Sequence, residues 1–180
     1  MAMLHLPIHD ATRFVLVRPH YPENVGASAR AIKTMGFSRL TLVRPGRLAV
    51  PEHEMAAKMA VKSRDVLEAA ERCQNLTDAL RDVSLVLATT SRRGVSGVLG
   101  PREAMRKAVS HVASGGNVAL VFGNEKTGLS TDELWMSHER VRAPMAADQP
   151  SLNLAQAVQI CAYELLLAAL AARDESRLLR

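Results

Sequence analysis

Aromatic side chains are scarce in this chain: three Phe, two Tyr and one Trp make up 3% of its 180 residues. A core built from it must rest on Leu, Val, Ala and Met, and binding of a nucleic-acid strand along a row of stacked aromatics is disfavoured. Cysteine is as sparse. Cys73 and Cys161 form no CxxC pair and match no metal-ligand spacing; both fall in helical patterns and read as reduced core thiols of a cytoplasmic protein. Residues 1–7 have neither a basic region nor a long apolar run, so they do not read as a signal peptide. There is no HExxH, no Ser-His-Asp constellation, no Walker loop and no GxGxxG, and the histidines are scattered without ligand spacing. Hydrolase, metal-dependent and common nucleotide-phosphate chemistries lose ground accordingly, and no metal is expected. The apolar stretch near the C-terminus is broken by Gln156, Gln159 and Glu164, which argues against a membrane span.

What is present is alternation. Short, continuous apolar runs at residues 14–17, 40–43, 84–88, 118–122 and 141–143 are separated by helical patterns at about 24–35, 52–73, 77–80, 101–112 and 152–179. Strands without polar alternation, separated by helices, predict an α/β fold with a parallel sheet covered by helices on both faces. No Pro/Gly/Ser-rich linker divides the chain, so one domain is expected. In such folds ligands bind beyond the carboxyl ends of the strands. The loops after strands are therefore the places to look for chemistry.

Charge adds a location. Residues 1–50 hold Arg13, Arg18, Arg30, Lys33, Arg39, Arg44 and Arg47 against only Asp10 and Glu23, whereas basic and acidic residues cancel over the rest of the chain. The net charge of +5 thus sits in the first quarter of the sequence, which points to a polyanionic partner. Within that quarter, Asn24-Val25-Gly26-Ala27-Ser28-Ala29-Arg30 opens a helix with small residues and one long cation. Arg30 is either a solvent-facing side chain on a helix packed through Ala27, Ala31 and Met35, or a cation aimed at a phosphate or a reacting oxygen.

Other loops carry comparable ambiguity. Thr89-Thr90-Ser91-Arg92-Arg93-Gly94 is a soluble turn or a ligand-binding strand end. Gly123-Asn124-Glu125-Lys126-Thr127-Gly128-Leu129 is a turn that needs glycine or a close approach to a ligand. Ser130 and Glu133 form a capping-box pattern. Ser151 is placed to cap the last helix, which leaves Asn153, a poor helix former, unexplained inside its first turn.

Together, Asn24–Arg30, the stretch Leu120-Val121-Phe122-Gly123-Asn124-Glu125-Lys126-Thr127-Gly128-Leu129 and Pro150-Ser151-Leu152-Asn153-Leu154-Ala155-Gln156-Ala157-Val158 resemble, in order and spacing, the three motifs of the SpoU/TrmH branch of SPOUT RNA 2′-O-ribose methyltransferases. The resemblance spans residues 14 to about 170. The flanks Ala31-Ile32-Lys33-Thr34-Met35-Gly36-Phe37 and Gln159-Ile160-Cys161-Ala162-Tyr163-Glu164 look most like TrmJ-type tRNA methyltransferases, which modify nucleotide 32 at the edge of the anticodon loop. What the resemblance implies is an α/β sheet with a C-terminal trefoil knot, S-adenosyl-L-methionine as cofactor, RNA (tRNA favoured) as partner, and a homodimer with active sites at the subunit interface. One methyltransferase domain is expected over residues 1–180; the C-terminal extension common in TrmJ-type enzymes is a point of departure, the sequence ending at Arg180, as a truncated chain or a compact relative with another substrate would.

By the same resemblance, the cofactor would rest on Thr89, Thr90, Ser91, Gly123, Ala143, Met145, Pro150, Ser151 and Leu152. Ala143 stands where relatives carry a branched apolar residue, so some packing of the adenine would be lost there. Arg30 matches the catalytic arginine. A guanidinium stays protonated at any working pH, so it would act as an electrostatic stabiliser of the forming alkoxide or a clamp on the neighbouring phosphate, with Ser151 orienting the hydroxyl. Arg18, Asn24, Lys33, Arg92 and Arg93 would hold RNA. Competing expectations are a ribosomal RNA or another tRNA position as substrate, a non-catalytic RNA-binding module on the same fold, and a flavodoxin-like cofactor binder.

Overall fold

The apolar runs become the middle of a sheet whose two faces are both buried. In the computed structural model, which describes residues 4–173, β1 (Thr12–Val17), β2 (Leu40–Val43), β4 (Leu85–Thr89) and β6 (Val118–Phe122) form the centre. Short strands β3 (Glu71–Cys73), β5 (Val98–Leu99) and β7 (Glu139–Val141) complete a seven-stranded sheet in the order β3-β2-β1-β6-β4-β7-β5. Every pairing is parallel, so all carboxyl ends lie on one edge.

Side-chain alternation sorts the core into two layers. Phe14, Leu16, Leu40, Leu42, Leu120 and Phe122 face one layer; Val15, Val17, Val43, Ala119 and Val121 face the other. The covering is uneven. The first layer is roofed by α1 (Pro7–Ala11), α2 (Pro22–Thr34), α3 (Glu54–Ala60), α4 (Arg64–Glu68), α6 (Pro101–Ala113) and α8 (Leu154–Ala172). The second has only the short α5 (Leu76–Ala79) and α7 (Thr131–Trp135), which supply Leu76, Ala79 and Leu134.

Several boundaries differ from the sequence expectation. The helical pattern at 52–73 is two short helices and an edge strand: Val61 turns at a positive φ of 48°, and Cys73 lies in β3 rather than in a helix. The last strand stops at Val141 and does not reach Ala143. The final helix begins at Leu154, three residues after Ser151. Asn153 is its cap, the side-chain oxygen accepting from Gln156 N at 3.2 Å, because the proline-led 150–153 stretch stays outside the helix. The part of that helix expected beyond residue 173 lies outside the described residues. α8 is long and apolar enough by length and composition to cross a membrane. Here it packs on α2 and α6, burying Val158, Cys161, Ala162, Leu165 and Leu170.

α2 and α3 approach so closely that a Cβ on Gly26 would fall on the Ala56 carbonyl oxygen. Replacing Gly26 by Ala ordinarily favours a helix by about 1 kcal/mol. Overpacking here is expected to outweigh that gain, for a net loss of about 1–3 kcal/mol. Chemical denaturation of Gly26→Ala checks this, and an unchanged midpoint would contradict the close approach.

Candidate active site

The site follows from how the chain leaves two neighbouring strands. β1 and β6 pair along their length, but β1 leads into α2 on one face and β6 leads to α7 on the other. The loops diverge and leave a crevice beyond the carboxyl ends, as at the switch point of other parallel sheets. On the β4 side of β6, a cavity of about 230 Å³ opens at the same edge of the sheet, formed by the ends of β4, β6 and β7 and by the 142–154 segment.

One carboxylate joins the pieces. Glu125 accepts from His20 N at 2.8 Å, Tyr21 N at 3.2 Å and Asn24 Nδ2 at 2.9 Å. Asn24 Oδ1 in turn accepts from Asn153 Nδ2 at 2.9 Å. The starts of α2 and α8 are thereby tied to the loop after β6. That loop is a compact hairpin: Asn124 accepts from Lys126 N and Thr127 N, donates to Arg18 O at 2.7 Å, and bridges to Gly128. Gly123 is required because a Cβ there would collide with the Gly128–Leu129 backbone.

The structure brings Thr89, Thr90, Ser91, Gly123, Ala143, Met145, Pro150, Ser151 and Leu152 together on the wall of this one cavity. Thr89 donates to Val121 O at 3.1 Å, and Thr90 Oγ1 accepts from Arg92 N at 3.1 Å, so both hydroxyls also shape the strand end. Because Asn153 takes the cap, the Ser151 hydroxyl is released from it and stays exposed at the cavity. Arg30 is not in the cavity wall. It lies on the exposed side of α2, and its guanidinium has no hydrogen bond or ion pair among the described residues.

The cations expected at RNA divide. Arg18 is turned inward: its guanidinium grips both oxygens of Glu133, with Nη2 to Oε2 at 2.9 Å, and reaches Gly128 O. Asn24 is only 8% exposed and uses both ends of its amide inside the protein. Both side chains serve as internal ties: releasing Arg18 would strand the buried Glu133, and Asn24 is itself buried with its amide engaged at both ends. Lys33 pairs with Asp65, and Arg93 with Asp148, in exposed pairs worth little in water. Arg92 lines the cavity and donates to Thr131 Oγ1 at 3.1 Å and Leu129 O at 2.6 Å.

Sequence reasoning assigned no site role to Glu125, Asn153, Glu133 or Cys161. The Ser130–Glu133 capping-box spacing was the available signal for Glu133, and the box is present. Burial opposes ionisation of Glu133, but the Arg18 guanidinium and the Ser130 N–H outweigh it and hold its carboxyl below the usual range. Cys161 lines the cavity from α8; burial pushes its thiol up to about 12, so it stays neutral at any working pH.

Residues 11–163 match the SpoU rRNA methylase family. The chain belongs to that family. It is 41% identical over 168 residues to the tRNA (cytidine/uridine/adenosine-2′-O-)-methyltransferase TrmJ of Pseudomonas aeruginosa, an alignment covering 92% of this chain and 64% of that enzyme. The chain thus spans somewhat under two thirds of this relative's length. Among solved structures, a probable methyltransferase from Bordetella pertussis superposes with a TM-score of 0.84 at 37% identity, over 88% of this chain and 96% of the other. An S-adenosylmethionine-bound rRNA methyltransferase from Sinorhizobium meliloti superposes with a TM-score of 0.71 at 27% identity, over 88% and 57%. Membership of this family removes the flavodoxin-like alternative.

Glu133→Gln is expected to cost about 2 kcal/mol by leaving Arg18 half-buried without its charge partner. The linkage has a definite sign. A carboxyl whose folded pKa is depressed stabilises fully above its unfolded value, near 4.5, and loses that contribution as pH falls through the folded value. The wild-type advantage over Glu133→Gln in urea denaturation is therefore expected at pH 7 and should shrink below about pH 4. A gap independent of pH would contradict the ion-pair account.

Proposed function

We propose that this chain is an S-adenosylmethionine-dependent methyltransferase acting on a ribose 2′-hydroxyl of RNA, with tRNA as the favoured substrate. The observation that carries the reading is the convergence of every cofactor position implied by the motifs on one cavity, at the point where Asn24, Glu125 and Asn153 join the three motifs. The cavity fits such a cofactor: hydroxyls and loop backbone at Thr89–Ser91 and Gly123 face apolar Met145 and Leu152, with room of about 230 Å³. The S. meliloti relative is bound to S-adenosylmethionine, and the P. aeruginosa relative is named for tRNA 2′-O-methylation. Nucleotide 32 follows only from the TrmJ-like flanks.

The cofactor supplies an electrophilic sulfonium methyl when bound. Protein residues then have to position the ribose and manage charge and proton. Arg30, permanently protonated, stabilises the negative charge developing on the attacking 2′-oxygen. The free Ser151 hydroxyl orients the ribose hydroxyl and passes its proton towards solvent. The neutral Cys161 thiol avoids competition from a thiolate, which would be the better nucleophile beside a methyl donor. Lys33, Arg92 and Arg93 take backbone phosphates, the exposed pairs exchanging their carboxylates for the polyanion.

Residues 1–180 act as one such domain, located in the cytoplasm. The 142–154 segment, which shares the cavity wall with the ends of β4 and β6, would form the trefoil knot. Two observations support a homodimer. Arg30 lies outside the cavity of its own subunit, which suits service to the partner's Ser151. α8 also leaves Ile160, Leu166 and Leu167 only half-buried and Tyr163 47% exposed, an apolar face of the kind subunits cover.

Incubating the protein with S-adenosylmethionine and RNA from cells lacking it, then mapping new 2′-O-methyl groups by mass spectrometry, tests the reading and separates tRNA from ribosomal RNA. No transfer to either would overturn it. Arg30→Ala is expected to lower the rate about a hundredfold or more while S-adenosylmethionine affinity, read by calorimetry, barely changes. Mixing Arg30→Ala subunits with subunits carrying Ser151→Ala should restore part of the activity. Two inactive homodimers that stay inactive when mixed would count against action across the interface.

A further inference from the structure

The chain has a single tryptophan, and in a protein this poor in aromatics it is spent on the surface. Trp135, the last residue of α7, is 75% exposed. It contributes nothing to the core that Leu134 beside it helps to form. An indole left this open has lost its largest source of stabilisation and stands ready to gain it from a partner.

Its neighbourhood is cationic. The Arg140 guanidinium lies 5.9 Å from the indole centroid, within cation–π range, and has no hydrogen bond or ion pair among the described residues. Arginine carries five N–H donors; here the ring holds the group in place while those donors stay available. The loop before β5 passes beside it, since a Cβ on Gly97 would lie 3.7 Å from Arg140 Nη2.

A path leads from the cavity to this pair. Arg92, in the cavity wall, donates to Thr131 Oγ1. Thr131 and Trp135 stand four residues apart on α7 and so share one helix face, about 6 Å from one another along the axis. Of the carboxylates on α7 and β7, Glu133 pairs with Arg18 and Glu139 with Lys107, leaving Asp132 on α7.

We propose that Trp135 and Arg140 form a docking site for a single-stranded segment of the RNA, on the thinly roofed face of the sheet. The indole face turned away from Arg140 stacks one unpaired base, and the guanidinium binds an adjoining phosphate. The inference rests on the RNA reading above and adds to it a place where the strand is held outside the cavity. Stacking on one aromatic flanked by arginine is how unpaired bases are commonly held. An isolated indole beside a guanidinium suits such a strand better than it suits an apolar protein surface.

The lone tryptophan makes its own reporter. The probes are a dye-labelled stem-loop RNA with an unpaired loop and a blunt RNA duplex, each titrated while RNA anisotropy and tryptophan emission are read together. The stem-loop is expected to change the emission along the same isotherm as its anisotropy, whereas the duplex binds without that change. Trp135→Ala should weaken stem-loop binding about tenfold, the usual scale of one stacked base. Trp135→Phe should recover most of it, and Arg140→Ala should weaken binding with a smaller salt dependence. S-adenosylmethionine affinity should be unaltered in all three variants.

Stem-loop binding with unchanged emission, or with Trp135→Ala equal to wild type, would overturn the proposal and leave the RNA reading standing. No rise in anisotropy with any RNA would remove that reading and the proposal together. Emission that shifts on dilution of the protein alone would assign the indole to a contact between copies of the chain and overturn the proposal as well.

Discussion

Glu125 accepts two backbone N–H groups from the turn after β1 and the amide of Asn24, and Asn24 holds Asn153. These bonds set the distance between the start of α2, the loop after β6 and the start of α8. The wall of the cavity consists largely of loop, and loops have no hydrogen-bonded ladder of their own to fix their shape. Without a shared acceptor, each would settle separately. A carboxylate suits the position because it can accept from several donors at once, and ionised acceptors bind them more strongly than neutral ones. The site is therefore made rigid by polar ties that an apolar core could not supply at the solvent-facing end of a sheet.

The arginines at that end do different work according to whether their partners are buried. Arg18 faces a Glu133 side chain only 10% exposed, so its charge is consumed in holding the 128–133 turn. Arg92 is committed to a backbone carbonyl and a threonine and keeps part of its charge directed at the cavity. Arg30 and Arg140 have no polar partner among the described residues. A basic residue is thus available to a polyanion in proportion to how cheaply its present partner can be released.

Much of this was legible in the amino-acid order. The central strands and the parallel sheet follow from apolar runs such as residues 118–122, which lack the alternation of a half-exposed strand. The loops at Thr89–Ser91, 123–129 and 150–152 could be chosen because parallel sheets place their ligands at strand ends. β3 was not legible: Glu71-Arg72-Cys73 carries charge on two of its positions, and only pairing with β2 makes it a strand. Ser151 and Asn153 are both good caps, and which one serves depends on where the extended segment ends. The cluster of positive charge in the first fifty residues misled in part. Arg13 donates to Ala79 O near the amino end of β1, and Arg39 to Asp10 O, whereas Arg18 and Arg44 lie at the carboxyl ends of their strands. Nearness in sequence put charges together that the strands then carry to opposite edges.

β6 lies between β1 and β4, although about a hundred residues of chain separate it from β1 and both other partners of the sheet centre are made before it. Until residues 118–122 emerge from the ribosome, β1 and β4 each present to the cell an edge of unpaired backbone N–H and C=O groups on a largely apolar strand. The sheet then grows by insertion, β6 between β1 and β4 and β7 afterwards between β4 and β5, not by addition at its rim. Such insertion is slow, because long-range pairing must wait on a large loss of chain entropy. The most exposed interval in this protein's life therefore comes during its synthesis, when chaperones have the strongest claim on it.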